Sequence, residues 1–235
     1  MSGFDNIVVT ILLIAIPTIV AITFHEAAHG WAAWKLGDDT AKRLGRVTFN
    51  PIRHVDPFGT VMLPGLLALG QFAVGTWPPF LIGWAKPVPV DFMALRDPRW
   101  GMVLVALAGP AVNLLLAFVS ALLMHVAVDL PGSAGAWAID LLDYSILINL
   151  VLMAFNLIPI PPLDGGRVMV GVLPRPLAWR YARLERFGMF ALIGVIVILP
   201  LIGSQLGRDW SILPEILWPV VNALARLVYM AAGVQ

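Results

Sequence analysis

Long apolar stretches without a charged residue dominate the chain. Five of them are near or above the roughly 20 residues that an α-helix needs to cross a bilayer; they cover 7–24, 57–85, 100–128, 144–163 and 187–207. A sixth apolar stretch, 211–235, carries two charged residues and two prolines, and we favour a last crossing over a helix lying in the interface. The pattern predicts an all-α polytopic membrane protein.

We expect about five to six transmembrane helices in one membrane-embedded domain over residues 1–235. Core helices are predicted at about 6–35, 100–128 and 140–160, and accessory helices at about 187–207 and 212–231. Composition supports this, because mean hydropathy is +0.88 and only 12% of residues are charged, against about a quarter in soluble domains. The lipid bilayer is therefore one partner of the chain.

The segment 57–90 does not have the pattern of a straight helix. Proline and glycine interrupt it repeatedly after position 63, and such residues break or bend a helix. Basic clusters flank it on both sides, at 35–53 and 86–99, which places both of its ends on the same face of the membrane. We predict a re-entrant or extended segment around 57–90, with one broken transmembrane helix as the alternative.

The distribution of Lys and Arg predicts the orientation. Basic residues also gather at 167–186, whereas 1–6 and 129–143 contain none. Because basic loops stay on the inner side, the first helix should run inward, 100–128 outward, 140–159 inward and 187–207 outward. We predict a multi-pass protein of a bacterial inner membrane, with the basic loops in the cytoplasm. The net charge of +1 gives no reason to expect a nucleic-acid partner.

The stretch "TFHEAAHGWAAW" places ionisable groups at the inner end of the first predicted helix. His25 and His29 lie one helical turn apart and so face the same side, with Glu26 beside them. H-E-x-x-H on a helix is typical of a zinc site whose Glu takes a proton from the metal-bound water. A polar patch packed between helices is the alternative, but ionisable groups at membrane depth are costly and usually functional.

A catalytic zinc ion needs a third protein ligand. The chain has no Cys, and no Glu occurs between Glu26 and Glu185, which leaves Asp and His residues. We favour Asp164, in "FNLIPIPPLDGGRV", because it follows the inner end of the helix 140–160 at the depth of His29. An ordinary surface turn is the alternative for this motif alone. The other donors that remain open are Asp38, Asp39, His54, Asp56, Asp91, Asp97, His125 and the acids of the outer loop.

"HEAAH" on a membrane helix together with "FNLIPIPPLDGGR" resembles the site-2 protease family, intramembrane zinc metalloproteases that cut transmembrane helices. "AGPAVN", at 108–113, is similar to the G-x-x-x-N motif of this family. Leu157 follows Asn156 where the family often has proline, a minor departure because the Asn-to-Asp spacing is kept. We expect a compact member without PDZ or CBS domains.

The resemblance implies that His25, His29 and Asp164 hold one Zn²⁺ and that Glu26 is the catalytic base. It implies a metalloendopeptidase that hydrolyses peptide bonds in or next to transmembrane segments of membrane proteins, as in regulated intramembrane proteolysis, with its active site near the cytoplasmic side. A membrane metal-ion carrier and a noncatalytic scaffold that use the same ligands are the alternatives. The partner is a transmembrane-helix substrate, and a homo-oligomer or an adaptor protein is left open.

Three further residues are candidates for substrate binding. Asn113 and Asn156 either hydrogen-bond the substrate backbone or the oxyanion, or join helices to one another. His54 either contacts substrate or metal, or is a solvated loop residue. "WAKPVPV", at 84–90, is an extended segment that could offer an edge to an unwound substrate, although its prolines cannot donate hydrogen bonds.

Overall fold

The computed structural model describes residues 3–62, 65–66, 69, 83–208 and 210–234. The described residues are mostly α-helical and include no β-strand. The α-helices are α1 (Gly3–Leu36), α2 (Thr40–Arg43), α3 (Pro98–Ala127), α4 (Ser133–Asn156), α5 (Asp164–Val172), α6 (Arg175–Ala182), α7 (Glu185–Ile193), α8 (Leu199–Gln205) and α9 (Ile212–Ala232). A 3₁₀ turn (Pro51–His54) and two π-helical segments (Pro57–Met62 and Gly194–Ile198) complete the helical elements.

Within the described part of the chain, five helical stretches are long and apolar enough to cross a membrane. They are Val9–Leu36 in α1, Pro98–Ala127, Ser133–Asn156, Glu185–Gln205 through α7 and α8, and Ile212–Ala232. The predicted all-α polytopic class is confirmed, and the C-terminal stretch forms a helix of crossing length.

The segment around 57–90 is only partly within the described residues. It begins with the π-helical segment Pro57–Met62, and 83–90 is neither helix nor strand. Most of the intervening chain lies outside the described residues. Whether the segment is re-entrant therefore stays a prediction.

Helices α1, α3 and α4 form the centre of the bundle, and α9 packs against α3 and α4. Small residues such as Ala117, Ala121 and Ala154 lie buried in the apolar cluster between α3, α4 and α9, where they allow the helices to approach closely. Large apolar side chains such as Leu115 and Ile19 remain exposed on the outside of the bundle. This arrangement suits helices whose outer surface faces hydrocarbon rather than water.

Contacts at the end of α9 establish its direction. The Ala232 carbonyl accepts a hydrogen bond from His125 Nε2 (2.8 Å), near the C-terminal end of α3, and the Tyr229 hydroxyl donates to Asp143 in α4 (2.8 Å). Helix α9 thus runs in the same direction as α3. If 187–207 and α9 both crossed the membrane outward, the linker 206–211 would have to return across the membrane between them. This linker reaches at most about 20 Å, less than the roughly 30 Å of hydrocarbon, so the two segments cannot both cross outward. The predicted outward directions of 100–128 and of 187–207 are therefore not compatible with each other if both segments and α9 cross the membrane.

Candidate metal centre and active site

The two histidines lie on the face of α1 that packs against α3. His25 and His29 are only 7% and 6% exposed, and their ring centroids are 4.6 Å apart, as expected for residues one helical turn apart. Gly109 of α3 packs directly on them. A Cβ at this position would lie 2.5 Å from His29 Nε2 and 2.7 Å from His25 Nε2, so the missing side chain leaves room beside both nitrogens.

Asp164 reaches the histidines from the turn between α4 and α5. Helix α4 ends at Asn156, prolines follow at 159, 161 and 162, and Asp164 is the first residue of α5. Gly165 and Gly166 pack on the backbone of the turn so closely that a Cβ on either would overlap main-chain atoms. The glycines therefore allow the turn to bring the carboxylate, 5% exposed, against α1.

Arg99, in the first turn of α3, fixes the other end of α5. Its guanidinium donates to the carbonyls of Gly171 (2.6 Å), Val172 (3.0 Å) and Leu173 (2.9 Å). These carbonyls lie at the C-terminal end of α5, where they have no partner within the helix. Helix α5 is consequently held against α3 at its C-terminal end, whereas Asp164 at its N-terminal end lies against α1.

Three side-chain atoms converge between α1 and α5. Asp164 Oδ2 lies 3.2 Å from His25 Nε2 and 3.3 Å from His29 Nε2, and the two nitrogens are 3.0 Å apart. His29 Nδ1 is 2.7 Å from the Val105 carbonyl, and His25 Nδ1 is 2.6 Å from Asn113 Oδ1. Because both Nδ1 atoms face acceptors, they carry the ring protons, and both Nε2 atoms present lone pairs.

The residues present fit a zinc ion. Asp164 Oδ2 is buried without a hydrogen-bond partner, and two nitrogen lone pairs face it, an arrangement that a cation would stabilise. Zinc bonds of about 2.0–2.1 Å in tetrahedral geometry place ligand atoms about 3.3 Å apart, close to the separations here. Among the described residues, these three form the group of His, Cys, Asp or Glu whose ligand atoms lie close enough to share an ion.

Glu26 contacts the extended segment 83–90. Its Oε2 accepts a hydrogen bond from the Val88 N–H (2.8 Å), and the buried Val88 side chain lies beside Gly30 of α1. The Lys86 carbonyl accepts from Arg46 Nη2 (2.6 Å). Burial lowers the pKa of Arg46, and the nearby Glu26 carboxylate counteracts this by raising it. Glu26 and the buried Arg46 thus contact the same stretch of main chain.

The extended segment is fastened to the body of the protein by alternate residues. The N–H groups of Trp84 and Lys86 donate to the carbonyls of Gly59 (3.1 Å) and His54 (2.9 Å), and Val88 donates to Glu26. At the end of the segment, the Asp91 N–H donates to Asp38 Oδ2 (2.8 Å). Of the intervening residues, the Pro87 carbonyl lies 3.4 Å from Arg46 Nη2, whereas Ala85 and Pro89 make no such contact with the described residues.

The other predicted site residues have different surroundings. Asn113 is fully buried beside His25, and its amide also donates to Asn149 (2.8 Å). Asn156 donates to the Leu152 carbonyl one turn earlier (2.9 Å). His54 is 2% exposed and donates through Nε2 to the Thr48 carbonyl (2.9 Å), and its Nδ1 has no partner. The structure brings Asn113 to the three candidate ligands and gives Asn156 and His54 local partners.

Sequence reasoning missed two residues of this region. Asn149 stands out as an amide within the uncharged stretch 144–163, a signal that could have selected it, because polar residues in membrane helices usually have partners. Arg46 belongs to a basic cluster, and nothing in the sequence distinguishes it from its neighbours. Only the structure shows that it is buried against the segment 83–90.

Comparison with known proteins identifies the family. The sequence model of Peptidase family M50 matches residues 124–199. The provisionally named zinc metalloprotease YwhC of Bacillus subtilis (strain 168) is 38% identical over 214 residues, which cover 89% of this chain and 86% of YwhC. The chain belongs to peptidase family M50. A second relative, the provisionally named zinc metalloprotease Rip2 of Mycolicibacterium smegmatis, is 31% identical over 191 residues, covering 80% of this M50 peptidase and 68% of Rip2. No solved structure matches the chain significantly.

Family membership confirms the resemblance to the site-2 proteases. This M50 peptidase is a zinc metalloprotease with Zn²⁺ as its cofactor, and it is an integral membrane protein. The prediction of an enzyme, rather than a metal carrier or a noncatalytic scaffold, is confirmed. The roles of individual residues are a separate matter and are proposed below.

Proposed function

We propose that this M50 peptidase hydrolyses peptide bonds in or next to transmembrane segments of membrane proteins. The observation that carries the proposal is the convergence of His25, His29 and Asp164, since two of the three belong to the candidate membrane span Val9–Leu36. A site within an apolar helix bundle suits a substrate that lies in the bilayer. We further propose one membrane-embedded protease domain over 1–235, in a bacterial inner membrane, with the site near the cytoplasmic side.

His25 and His29 would bind zinc through Nε2, and Asp164 would bind it through Oδ2. Zinc held there would supply a Lewis acid that activates water and polarises the scissile carbonyl. Glu26, between the two histidines in sequence, accepts the proton of the attacking water and delivers it to the leaving amine. Its hydrogen bond from Val88 supports this role, because it holds the carboxylate at the segment that we propose binds the substrate.

The substrate would bind along the extended segment 84–90. Its inner edge is occupied by the contacts of Trp84, Lys86 and Val88 with the protein, so the opposite edge is the one available to an extended chain. Pro87 and Pro89 have no N–H, so that edge would offer mainly carbonyl acceptors, of which the Pro87 carbonyl also lies 3.4 Å from Arg46 Nη2. A transmembrane helix unwound beside it could donate its own N–H groups to these carbonyls.

The three candidates for substrate binding, Asn113, Asn156 and His54, would differ in how directly they act on the substrate. Asn156 lies half-buried at the end of α4 and stays a candidate for substrate contact. Asn113 has both ends of its amide engaged, which supports an action through His25 rather than directly on substrate. The main-chain carbonyl of His54 holds Lys86, which supports an indirect role through the position of the segment.

The proposal is tested with purified protein reconstituted in lipid nanodiscs. A panel of single-span membrane peptides is incubated with wild type and with Glu26→Gln, the zinc content is measured, and cut sites are mapped by mass spectrometry. We expect cuts in or beside the apolar span with wild type, and retained zinc without cleavage with Glu26→Gln. Asp164→Asn should lower the zinc content itself. Full proteolysis by Glu26→Gln would exclude the mechanism, and cleavage confined to soluble peptides would exclude the proposed substrate class.

A further inference from the structure

A chain of buried side-chain amides leads from His25 into the core between α3 and α4. His25 Nδ1 contacts Asn113 Oδ1 (2.6 Å), and Asn113 Nδ2 donates to Asn149 Oδ1 (2.8 Å). Asn149 Nδ2 in turn donates to the main-chain carbonyl of Ser145 (2.8 Å). Asn113 and Asn149 are 0% and 1% exposed, so neither amide can replace these contacts with bulk water.

The Ser145 carbonyl gives this chain a direction. A carbonyl oxygen can only accept, so the Asn149 end that faces it must be the NH₂ group, and the Asn149 oxygen then faces Asn113. That oxygen also only accepts, so Asn113 must present its NH₂ group to Asn149 and its oxygen to His25. Nδ1 of His25 must therefore carry the ring proton, which leaves Nε2 as a lone pair.

We propose that Asn149 is a positioning residue that fixes the ring tautomer and orientation of His25 through Asn113. Asn149 touches neither substrate nor the ligand atoms. It prevents the Asn113 amide from rotating by half a turn, because rotation would place the Asn113 NH₂ group against His25 Nδ1–H and the Asn113 oxygen against the Asn149 oxygen. The inference rests on the proposed role of His25 as a zinc ligand.

The loss of zinc affinity expected on removing Asn149 follows from the need of a zinc-binding histidine for a fixed ring orientation. Partners that hold a ligating histidine typically contribute about 10–100-fold to metal affinity. Asn149 acts one residue further away, so its loss should have an effect near the lower end of that range. Because it acts through Asn113, removing both amides should weaken zinc binding no more than removing Asn113 alone, whereas independent contributions would multiply.

The test is a double-mutant cycle on zinc affinity, measured by competition with a chelator on the full chain in detergent. Asn149→Leu, Asn113→Leu and the double variant are compared with wild type. We expect Asn149→Leu to raise the zinc Kd about tenfold and the double variant to match Asn113→Leu. Asn222→Leu is the matched control, because it makes the same substitution at an exposed position of α9 and should leave the Kd within about twofold.

Three results separate the possible failures. A wild-type Kd in Asn149→Leu, or fully multiplicative effects in the double variant, overturns the role of Asn149. An unchanged Kd in His25→Ala instead overturns the ligand assignment, and with it the proposed function. If Asn149→Leu does not elute as a single folded species, Asn149→Val removes the same amide with a smaller side chain and is measured in the same cycle.

Discussion

The Glu26 carboxylate accepts a hydrogen bond from the Val88 N–H at 2.8 Å. Glu26 belongs to α1, and Val88 belongs to an extended segment 62 residues later in the chain. This bond couples the position of the proposed base to that of the main chain along which we propose the substrate binds. A change in the segment should therefore alter catalysis without altering the zinc ligands.

Replacing Val88 with proline removes the donor of this hydrogen bond and keeps an extended backbone. A hydrogen bond to a charged group contributes about 1.5–3 kcal/mol, so kcat/KM for a membrane peptide should fall about tenfold or more. Zinc content should not change. Val88→Ala is the control, since it keeps the N–H, and equal losses in both variants would show that packing of the side chain, not the donor, matters.

Arg46→Met should loosen the segment at the next point of attachment. Arg46 is buried, and its guanidinium donates to the Lys86 carbonyl at 2.6 Å. Losing a hydrogen bond from a charged donor costs about 1.5–3 kcal/mol, so amides at 84–91 should exchange with deuterium faster and cleavage should fall at constant zinc content. Arg53→Met, in the same basic cluster but exposed, should behave as wild type. Wild-type exchange in Arg46→Met would contradict this role.

Gly109→Ala should prevent zinc binding. The added Cβ would lie 2.5 Å from His29 Nε2 and 2.7 Å from His25 Nε2, inside van der Waals contact with both candidate ligand atoms, and close-packed interiors relax only partially. We expect at least a tenfold loss of zinc affinity, measured by chelator competition. Gly194→Ala adds the same methyl group to a helical position with open space around it, and should bind zinc normally.

Asp38 should make the junction between α1 and the extended segment sensitive to acid. Burial alone would raise the pKa of Asp38, but hydrogen bonds from Thr40 and from the Asp91 N–H lower it below its ordinary value. The ionised form is thus favoured in the folded protein. Its stabilisation is fully present above the ordinary pKa of about 3.9 and is lost as pH falls through the lower folded value.

Thermal unfolding of Asp38→Asn measures this contribution. Near neutral pH the variant should be less stable by about 1–3 kcal/mol, because an amide cannot accept both hydrogen bonds. The difference from wild type should shrink as the pH falls below about 4. Asp39→Asn is the control, because Asp39 is an exposed partner of Arg43 and such pairs contribute little. A constant difference between Asp38→Asn and wild type at all pH values would contradict the assignment.

The sequence by itself determined the class of fold and the identity of the candidate ligands. Apolar stretches of crossing length predict membrane helices because an unpaired backbone is costly in hydrocarbon. The structure contains such helices at all of these stretches except 57–85, most of which lies outside the described residues. Within α1, the four-residue spacing places His25 and His29 on one face by helix geometry alone. The motif around Asp164 required a depth argument in addition, and the structure places its carboxylate 3.3 Å from His29.

The tertiary structure alone decided which groups surround those ligands. Two contacts, from Asn113 to His25 and from Val88 to Glu26, join residues on different elements. The contact between Asn149 and the Ser145 carbonyl lies within α4, and it depends on which end of the amide faces the carbonyl. No periodicity or motif encodes such pairings, because they depend on how helices rotate and approach when they pack. Local spacing predicted the two histidines, and motif and depth together predicted Asp164, but only packing between distant segments determined how each candidate ligand is held.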